Sequence, residues 1–318
     1  MNAAVVEAFD RAPSYREFAE PVAGDGEVLV AVKAAGLHPI VKGLASGKHY
    51  GSTGQLPFVP GVDGVGKLAD GKRVYFGATR PPYGTFAERS VTRPGMCVPL
   101  PDRLEDATAA ALANPGMSSR AALMRAGFVA GESVLILGAT GSAGRLAVQI
   151  ARRRGAKRIV GAGRNPKSLA DLTPLGADAV ISLEQEREAL VDAFRQTIAE
   201  KIDIVLDYLW GQPAEMVMEA ISQKGLNHAP SRIRYVQIGN SAGSTISLAA
   251  ATLRSSALEM LGSGFGSASL EQILRAVREL FKEAAKKPFD NAVKVARLNK
   301  VEKLWNNRKE AVRLVFEP

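Results

Sequence analysis

The sequence predicts an α/β protein of two domains: a β-rich domain, and a domain built on a doubly wound parallel sheet. Three observations carry this. Residues 1–113 break into short apolar or alternating runs punctuated by Gly, Pro and Asp, the texture of a small barrel or sandwich. From Ser133 onward, strand-like runs alternate with helix-like stretches, which calls for parallel strands joined by right-handed crossovers. The chain has 318 residues, enough for two domains each with its own core.

In the β-rich part the runs are AAVVEAF, EVLVAVKAAGL, the turns around Gly61–Gly66, RVYFGA and FAERSVT. Asp25-Gly26 and Asp70-Gly71 are tight-turn dipeptides. The texture changes near Leu104, where EDATAAALANPGMSSRAALMRAG is Ala-rich with helical spacing. SVLILG is then a buried strand followed by the helical SAGRLAVQIARRRG. RIVGAG precedes a helix near NPKSLADLTPLG, and DAVISL precedes EREALVDAFRQTIAE. IDIVLDYL, RYVQIG and LEMLGSGF supply later strands. After Gly266, SLEQILRAVRELFKEAAKK is an amphipathic helix with Leu270, Ile273, Leu274, Val277, Leu280 and Phe281 on one face. A strand (AVKVARL), a helix (KVEKLWNNRKE) and a strand (AVRLVFE) end the sequence, with no internal repeat.

Composition narrows the class. Apolar residues at 46% and charged residues at 23% describe a soluble globular protein. No run reaches the roughly 18–20 apolar residues that span a bilayer. Glu7 and Asp10 interrupt the start before a secretory signal can form. The single Cys97 excludes an internal disulfide and a multi-cysteine metal site, so the cytoplasm is the expected compartment. The net charge of +9 is spread out, with its densest groups, Arg152–Arg154 and Lys286–Lys287, near expected helix ends. A nucleic-acid partner is not favoured, because no aromatic-interleaved basic motif accompanies the charge.

The most specific local signal is Leu135-Ile-Leu-Gly-Ala-Thr-Gly-Ser-Ala-Gly144. Glycines at 138, 141 and 144 follow a strand and open a helix. They permit a tight turn and close approach of backbone to a pyrophosphate, which the helix N-terminus stabilises. The motif is G-x-x-G-x-x-G, a departure from the standard fingerprint, with Ala139 where a glycine is usual. Gly138, Thr140, Gly141, Ser142, Ala143 and Gly144 are therefore candidate cofactor contacts on a Rossmann sheet. About 20 residues on, an NAD-binding protein carries an acid for the ribose 2′-hydroxyl. Here the stretch is Val160-Gly-Ala-Gly-Arg-Asn-Pro-Lys167, without a carboxylate. Gly163 leaves room, and Arg164 and Lys167 supply positive charge, which favours the 2′-phosphate of NADPH.

Taken in order, GEVLVAVKAAGLHP, LPFVPGVDGVG, YGTFAE, VPLP, the NPGMSSRAAL helix start, GATGSAG, GADAVI, IDIVLD and YVQIGN make a pattern. By that pattern the chain resembles the medium-chain dehydrogenase/reductase superfamily, in its zinc-independent quinone oxidoreductase (zeta-crystallin-like) branch. The resemblance implies a GroES-like substrate domain over residues 1–113, completed by 267–318. It places a Rossmann domain over 114–266 and an active site in the cleft they share. In the zinc enzymes of this superfamily a Gly-His-Glu follows the turn that here reads Gly61-Val62-Asp63, so Val62 stands at a ligand position. Cys97 is misplaced for zinc, and the spacing of His38 and His49 carries little weight as a metal pair.

The same resemblance supplies the remaining candidates. His38 stands where the family carries an Asn near the nicotinamide; it can donate to a substrate carbonyl and be cationic near neutral pH, or fill a polar gap in the domain. Tyr50 matches a substrate-pocket Tyr. Ser118 replaces a Thr that faces the nicotinamide. Gly239, Asn240 and Ser241 fall beside the nicotinamide ribose, Phe265 beside its amide, and Arg308 near the adenosine phosphate. The implied reaction is NADPH-dependent hydride transfer, without metal, to a quinone or α,β-unsaturated carbonyl. Two alternatives stay open: a carbonyl reductase without quinone activity, and an NADPH-binding redox sensor or RNA binder with little catalysis. A homodimer is implied through the sheet edge near Leu258–Phe265, where LEMLGSGFG is apolar enough to invite pairing.

Overall fold

Side-chain alternation sets the first sheet. In the computed structural model, which describes residues 1–222, 231–307 and 312–318, strand β3 (Val28–Gly36) buries Val30, Val32 and Ala34 and exposes Leu29, Ala31 and Lys33. Before it, β1 (Asn2–Val5) and β2 (Ser14–Glu17) form an antiparallel pair. Helix α1 (Pro39–Ala45) follows β3, with His38 at its N-cap and Pro39 at the first helical position, where a missing N–H costs nothing. Strands β4 (Asp63–Lys67) and β6 (Arg89–Thr92) pair antiparallel with β3, β5 (Arg73–Gly77) with β4, and β7 (Cys97–Pro99) with β5.

Helix α2 (Asp106–Arg125) then runs for 20 residues with Pro115 inside it. The helical spacing read over EDATAAALANPGMSSRAALMRAG thus formed a helix, while the helix start at Asn114-Pro115 among the anchors of the resemblance is corrected: the helix begins at Asp106. An interior proline removes one hydrogen bond of the ladder without ending it here. The first turn is tied down by Arg73, whose guanidinium donates to Asp106 and to the Leu104 carbonyl.

The alternating part delivers β8 (Ser133–Leu137), α3 (Ser142–Arg153), β9 (Arg158–Gly163), α4 (Pro166–Ala170), β10 (Ala179–Ser182), α5 (Arg187–Ala199), β11 (Ile204–Asp207), α6 (Gly211–Ile221), β12 (Arg232–Gln237), α7 (Ala250–Arg254) and β13 (Ala257–Gly262). These six strands are all parallel, in the order β10-β9-β8-β11-β12-β13. Numbered within the sheet that is 3-2-1-4-5-6, the Rossmann order, which reverses between β8 and β11. Strand β8 is buried at every position, as a central parallel strand covered on both faces must be. Its core partners include Leu190, Phe194, Val217 and Tyr235.

After β13, α8 (Leu270–Lys286) buries Val277, Leu280 and Phe281, while Leu270, expected on that apolar face, is 47% exposed. Strand β14 (Val293–Arg297), the single turn α9 (Val301–Leu304) and β15 (Arg313–Glu317) complete the chain. β15 pairs with β14 and with β3, adding both to the first sheet. The chain divides into Met1–Pro115 with Val277–Pro318, and Gly116–Ala276. Those divisions fall inside α2 and α8, whereas the resemblance implied 113/114 and 266/267. No helix among the described residues is long and apolar enough to cross a membrane.

Candidate functional site

The glycine-rich turn lies at the carboxyl end of β8, beside the point where strand order reverses. Its conformation is enforced by close approach: a Cβ on Gly144 would stand 2.2 Å from the Gly138 carbonyl oxygen and 2.5 Å from Ala139 Cα. Only glycine allows α3 to begin so near the loop. The amides of Gly138 and Ala139 both donate to the Ala162 carbonyl of β9, which locks the turn against the neighbouring strand. Ser142, Ala143 and Gly144 are in the first turn of α3, where N–H groups have no intrahelical acceptor and the dipole favours an anion. The turn thus fits a pyrophosphate.

Gly163 ends β9 against this turn, since a Cβ there would lie 2.5 Å from Thr140 Cγ2. Arg164 and Lys167, next along the chain, are exposed. Between them Asn165 caps α4 by accepting the Ser168 N–H at 3.0 Å. The chain therefore turns sharply after β9 and leaves both cationic side chains on the surface beside Gly163.

At the ends of β11 and β12 the structure gathers Ser118, Gly239 and Ser241 around one residue the sequence did not single out, Tyr208. The Ser241 hydroxyl donates to the Tyr208 carbonyl at 3.0 Å, and the Gly239 amide donates to the Asp207 carbonyl at 3.1 Å. The Tyr208 hydroxyl is 2.8 Å from that of Ser119. Burial pushes its pKa up to about 12, opposed by hydrogen bonds to Ser119 and Ser118. Asn240 is exposed in the same loop, and Phe265 is 46% exposed after β13. The signal for Tyr208 was its place one residue past strand IDIVLD, at the sheet's carboxyl end. Asp207 supports the turn: its carboxylate accepts the Leu209 and Trp210 amides at 2.7 and 3.0 Å and the Tyr235 hydroxyl at 2.7 Å. It thereby holds Trp210 at φ 56°, ψ −161°, a conformation few residues other than glycine adopt. Arg308 lies outside the described residues, as does His228.

His38 and Tyr50 are in contrasting surroundings. Tyr50 is 74% exposed, its ring tilted over that of His49 at a centroid distance of 4.2 Å. His38 is wholly buried, so the cationic histidine considered from the sequence is corrected: loss of solvent, and then the charge of Arg313, hold its pKa well below the usual value. The neutral ring sits 3.5 Å from Asp63, which is itself buried and accepts the Tyr75 hydroxyl at 2.9 Å. Burial raises Asp63 to about 7, against the opposing pull of Tyr75 and Arg313. Arg313 reaches this region by donating to the Leu37 carbonyl at 2.9 Å. Tyr75 and Arg313 were not named from the sequence, and Asp63 appeared there only as the end of the Gly61-Val62-Asp63 turn; nothing local marks the group, because β15 meets β3 and the β4–β5 pair only in the folded sheet.

A pH effect follows from Asp63. Its folded pKa exceeds the unfolded value of 3.8, so between about pH 4 and 7 the folded state binds the extra proton and stability falls as pH rises. Asp63→Asn, which mimics the neutral acid, is expected to match the wild type near pH 4 and to exceed it by up to about 4 kcal/mol at pH 8. Urea unfolding of both proteins at the two pH values checks this; parallel stability curves would refute it.

Residues 143–282 match the family model described as zinc-binding dehydrogenase. Quinone oxidoreductase from Homo sapiens is 31% identical over 205 residues, covering 61% of this chain and 60% of that protein. The NADPH-dependent alkenal/one oxidoreductase of Arabidopsis thaliana chloroplasts is 27% identical, over 59% of this chain and 51% of its own. The match thus spans about 60% or less of the length of these relatives. The quinone oxidoreductase of Thermus thermophilus, a structure also solved in complex with NADPH, superposes over 100% of both chains with a TM-score of 0.82 and 25% identity.

Proposed function

We propose, because the chain belongs to the medium-chain dehydrogenase/reductase superfamily and within it to the quinone oxidoreductase branch, that it reduces a quinone or an α,β-unsaturated carbonyl with NADPH. The observation that carries this reading is the close-packed turn 138–144 at the reversal point of a 3-2-1-4-5-6 sheet. NADPH, when bound, supplies the hydride. The first-turn amides of α3 hold the pyrophosphate, and Arg164 and Lys167 hold the 2′-phosphate, with Arg308 assigned near the adenosine phosphate. Ser118, Gly239, Asn240, Ser241 and Phe265 line the nicotinamide end. Of the two candidates for hydrogen bonding to the acceptor oxygen, His38 acts as a neutral donor and Tyr50 from its exposed loop. One preorganised donor to a developing oxyanion is worth about 3–4 kcal/mol of barrier. The direct test is NADPH oxidation with 1,4-benzoquinone, 9,10-phenanthrenequinone and a panel of enones; no turnover with any of them rejects the reading.

We read the chemistry as zinc-free. Val62 has no donor atom at the implied ligand position, and among the described residues no three of His, Cys, Asp and Glu make a metal-holding group. Dialysis against a strong chelator is expected to leave turnover unchanged. Stoichiometric zinc whose removal abolishes activity would overturn the assignment.

We also read the protein as a cytoplasmic homodimer paired through β13, the edge strand of its sheet, where Met260 is 37% exposed. Light scattering at micromolar concentration is expected to give twice 33.7 kDa, and Met260→Lys to weaken association before it weakens cofactor binding. The monomer mass in the wild type would reject the dimer.

A further inference from the structure

Two glycines of β9 face the glycine-rich turn, and their own backbone does not call for them. Gly161 and Gly163 lie two residues apart on one side of the strand, and neither has the positive φ that favours glycine. What forbids a side chain at each is a neighbour. A Cβ on Gly161 would stand 2.7 Å from Leu172 Cδ1 and 3.1 Å from Ala139 Cβ. A Cβ on Gly163 would stand 2.5 Å from Thr140 Cγ2, 2.8 Å from Oγ1 and 3.2 Å from Cβ. Thr140 cannot step aside as a whole, because the Gly138 and Ala139 amides both donate to the Ala162 carbonyl at 2.9 Å and pin the turn between the two glycines. Nor does rotation of its side chain clear the space. Cγ2 and Oγ1 occupy two of the three staggered positions on the Thr140 Cβ, and both of those positions face Gly163. With two heavy atoms for three positions, every rotamer leaves at least one of them there.

Gly163 is the last residue of β9, the second strand of its sheet in chain order. That strand end is where a dinucleotide-binding fold carries the acid that accepts a ribose 2′-hydroxyl. We propose that Thr140 selects the cofactor by shape: its side chain takes the space of any side chain at 163, so the strand end can carry no acid and is left to a cofactor with a 2′-phosphate. This rests on the NADPH reading above and deepens it. An acid at 163 would repel a phosphate, and Thr140 keeps it out before any charge is counted. Arg164 and Lys167, exposed just beyond, then supply the attraction. Exclusion and attraction are thus separate devices, the first built into the turn and the second into the residues after β9.

A double-mutant cycle tests the exclusion. Without cofactor, Gly163→Ala is expected to lower the midpoint of urea unfolding, because its methyl is forced against Thr140. In the Thr140→Ala background only the 3.2 Å contact remains, so the same substitution should cost no more than about half as much. In the Thr140→Val background both branch atoms remain, and the loss should be as large as in the wild type. Equal losses in all three backgrounds overturn the proposal. With cofactor, Gly163→Asp alone should weaken NADPH and NADH alike by at least about tenfold, since the turn is displaced. Thr140→Ala with Gly163→Asp should bind NADH at least about tenfold more tightly than NADPH. A full reversal by Gly163→Asp alone, at the wild-type unfolding midpoint, also overturns the proposal. If Gly163→Asp does not fold, the alanine cycle decides. Equal wild-type dissociation constants for the two cofactors count against the NADPH reading, and the unfolding cycle, which uses no cofactor, still decides whether Thr140 excludes a side chain at 163.

Discussion

Gly144→Ala is expected to lose at least about 100-fold in NADPH affinity, roughly 2.7 kcal/mol, and to destabilise the fold by about 1–3 kcal/mol. Its added methyl meets the Gly138 carbonyl oxygen at 2.2 Å and Ala139 Cα at 2.5 Å, both backbone atoms held by the bonds of Gly138 and Ala139 to β9. Neither can move without shifting the turn or the start of α3, and the amides proposed to meet the pyrophosphate shift with them. Gly141→Ala separates the two effects. Its methyl would find only the Gly138 oxygen, at 3.5 Å, an ordinary contact. That variant should melt near the wild type yet bind NADPH poorly, because the methyl occupies the approach of the phosphates. Calorimetric titration and thermal unfolding of both variants check the pair. Wild-type affinity in Gly144→Ala would mean that the turn is not the phosphate cradle.

Arg164→Asp is expected to remove or invert the cofactor preference. The wild type should bind NADPH at least about tenfold more tightly than NADH, about 1.4 kcal/mol, through the charges of Arg164 and Lys167 beside Gly163. An aspartate at 164 repels the 2′-phosphate and offers an acceptor to a 2′-hydroxyl, so the ratio of dissociation constants should change by about 100-fold. Both cations are exposed; the variant should fold normally, and the wild-type preference should shrink as salt is added. Dissociation constants for both cofactors at two ionic strengths measure this. Equal constants in the wild type would remove Arg164 from the cofactor site.

The alternation of strands and helices was legible because each element obeys a local rule. SVLILG is too continuously apolar for a half-exposed strand, and SAGRLAVQIARRRG carries a helical period; both formed, as β8 and α3. The turn between them was legible for a similar reason, since glycine spacing is itself the backbone requirement. Where a local rule misled, packing had overridden it. Asn114-Pro115 reads as a helix start, yet α2 is anchored earlier by Arg73 on β5 and runs through the proline. Leu270 reads as core but lies one turn before α8 becomes covered. Helix α6 was not read from the sequence at all: it begins after Trp210, a tryptophan in a backbone conformation that Asp207 supports.

The sequence by itself determined the fold class, the glycine-rich turn and the sign of the charge next to it, because periodicity, glycine spacing and charge are properties of neighbours along the chain. Only the tertiary structure decided what His38 is. Whether a histidine is cationic or neutral depends on solvent and on nearby charge, and here both are set from afar. Asp63 comes from a strand 25 residues on, and Arg313 reaches Leu37 across a separation of 276 residues. Burial by those distant elements turned a residue that titrates in water near neutral pH into a neutral ring, and raised the pKa of the carboxyl beside it.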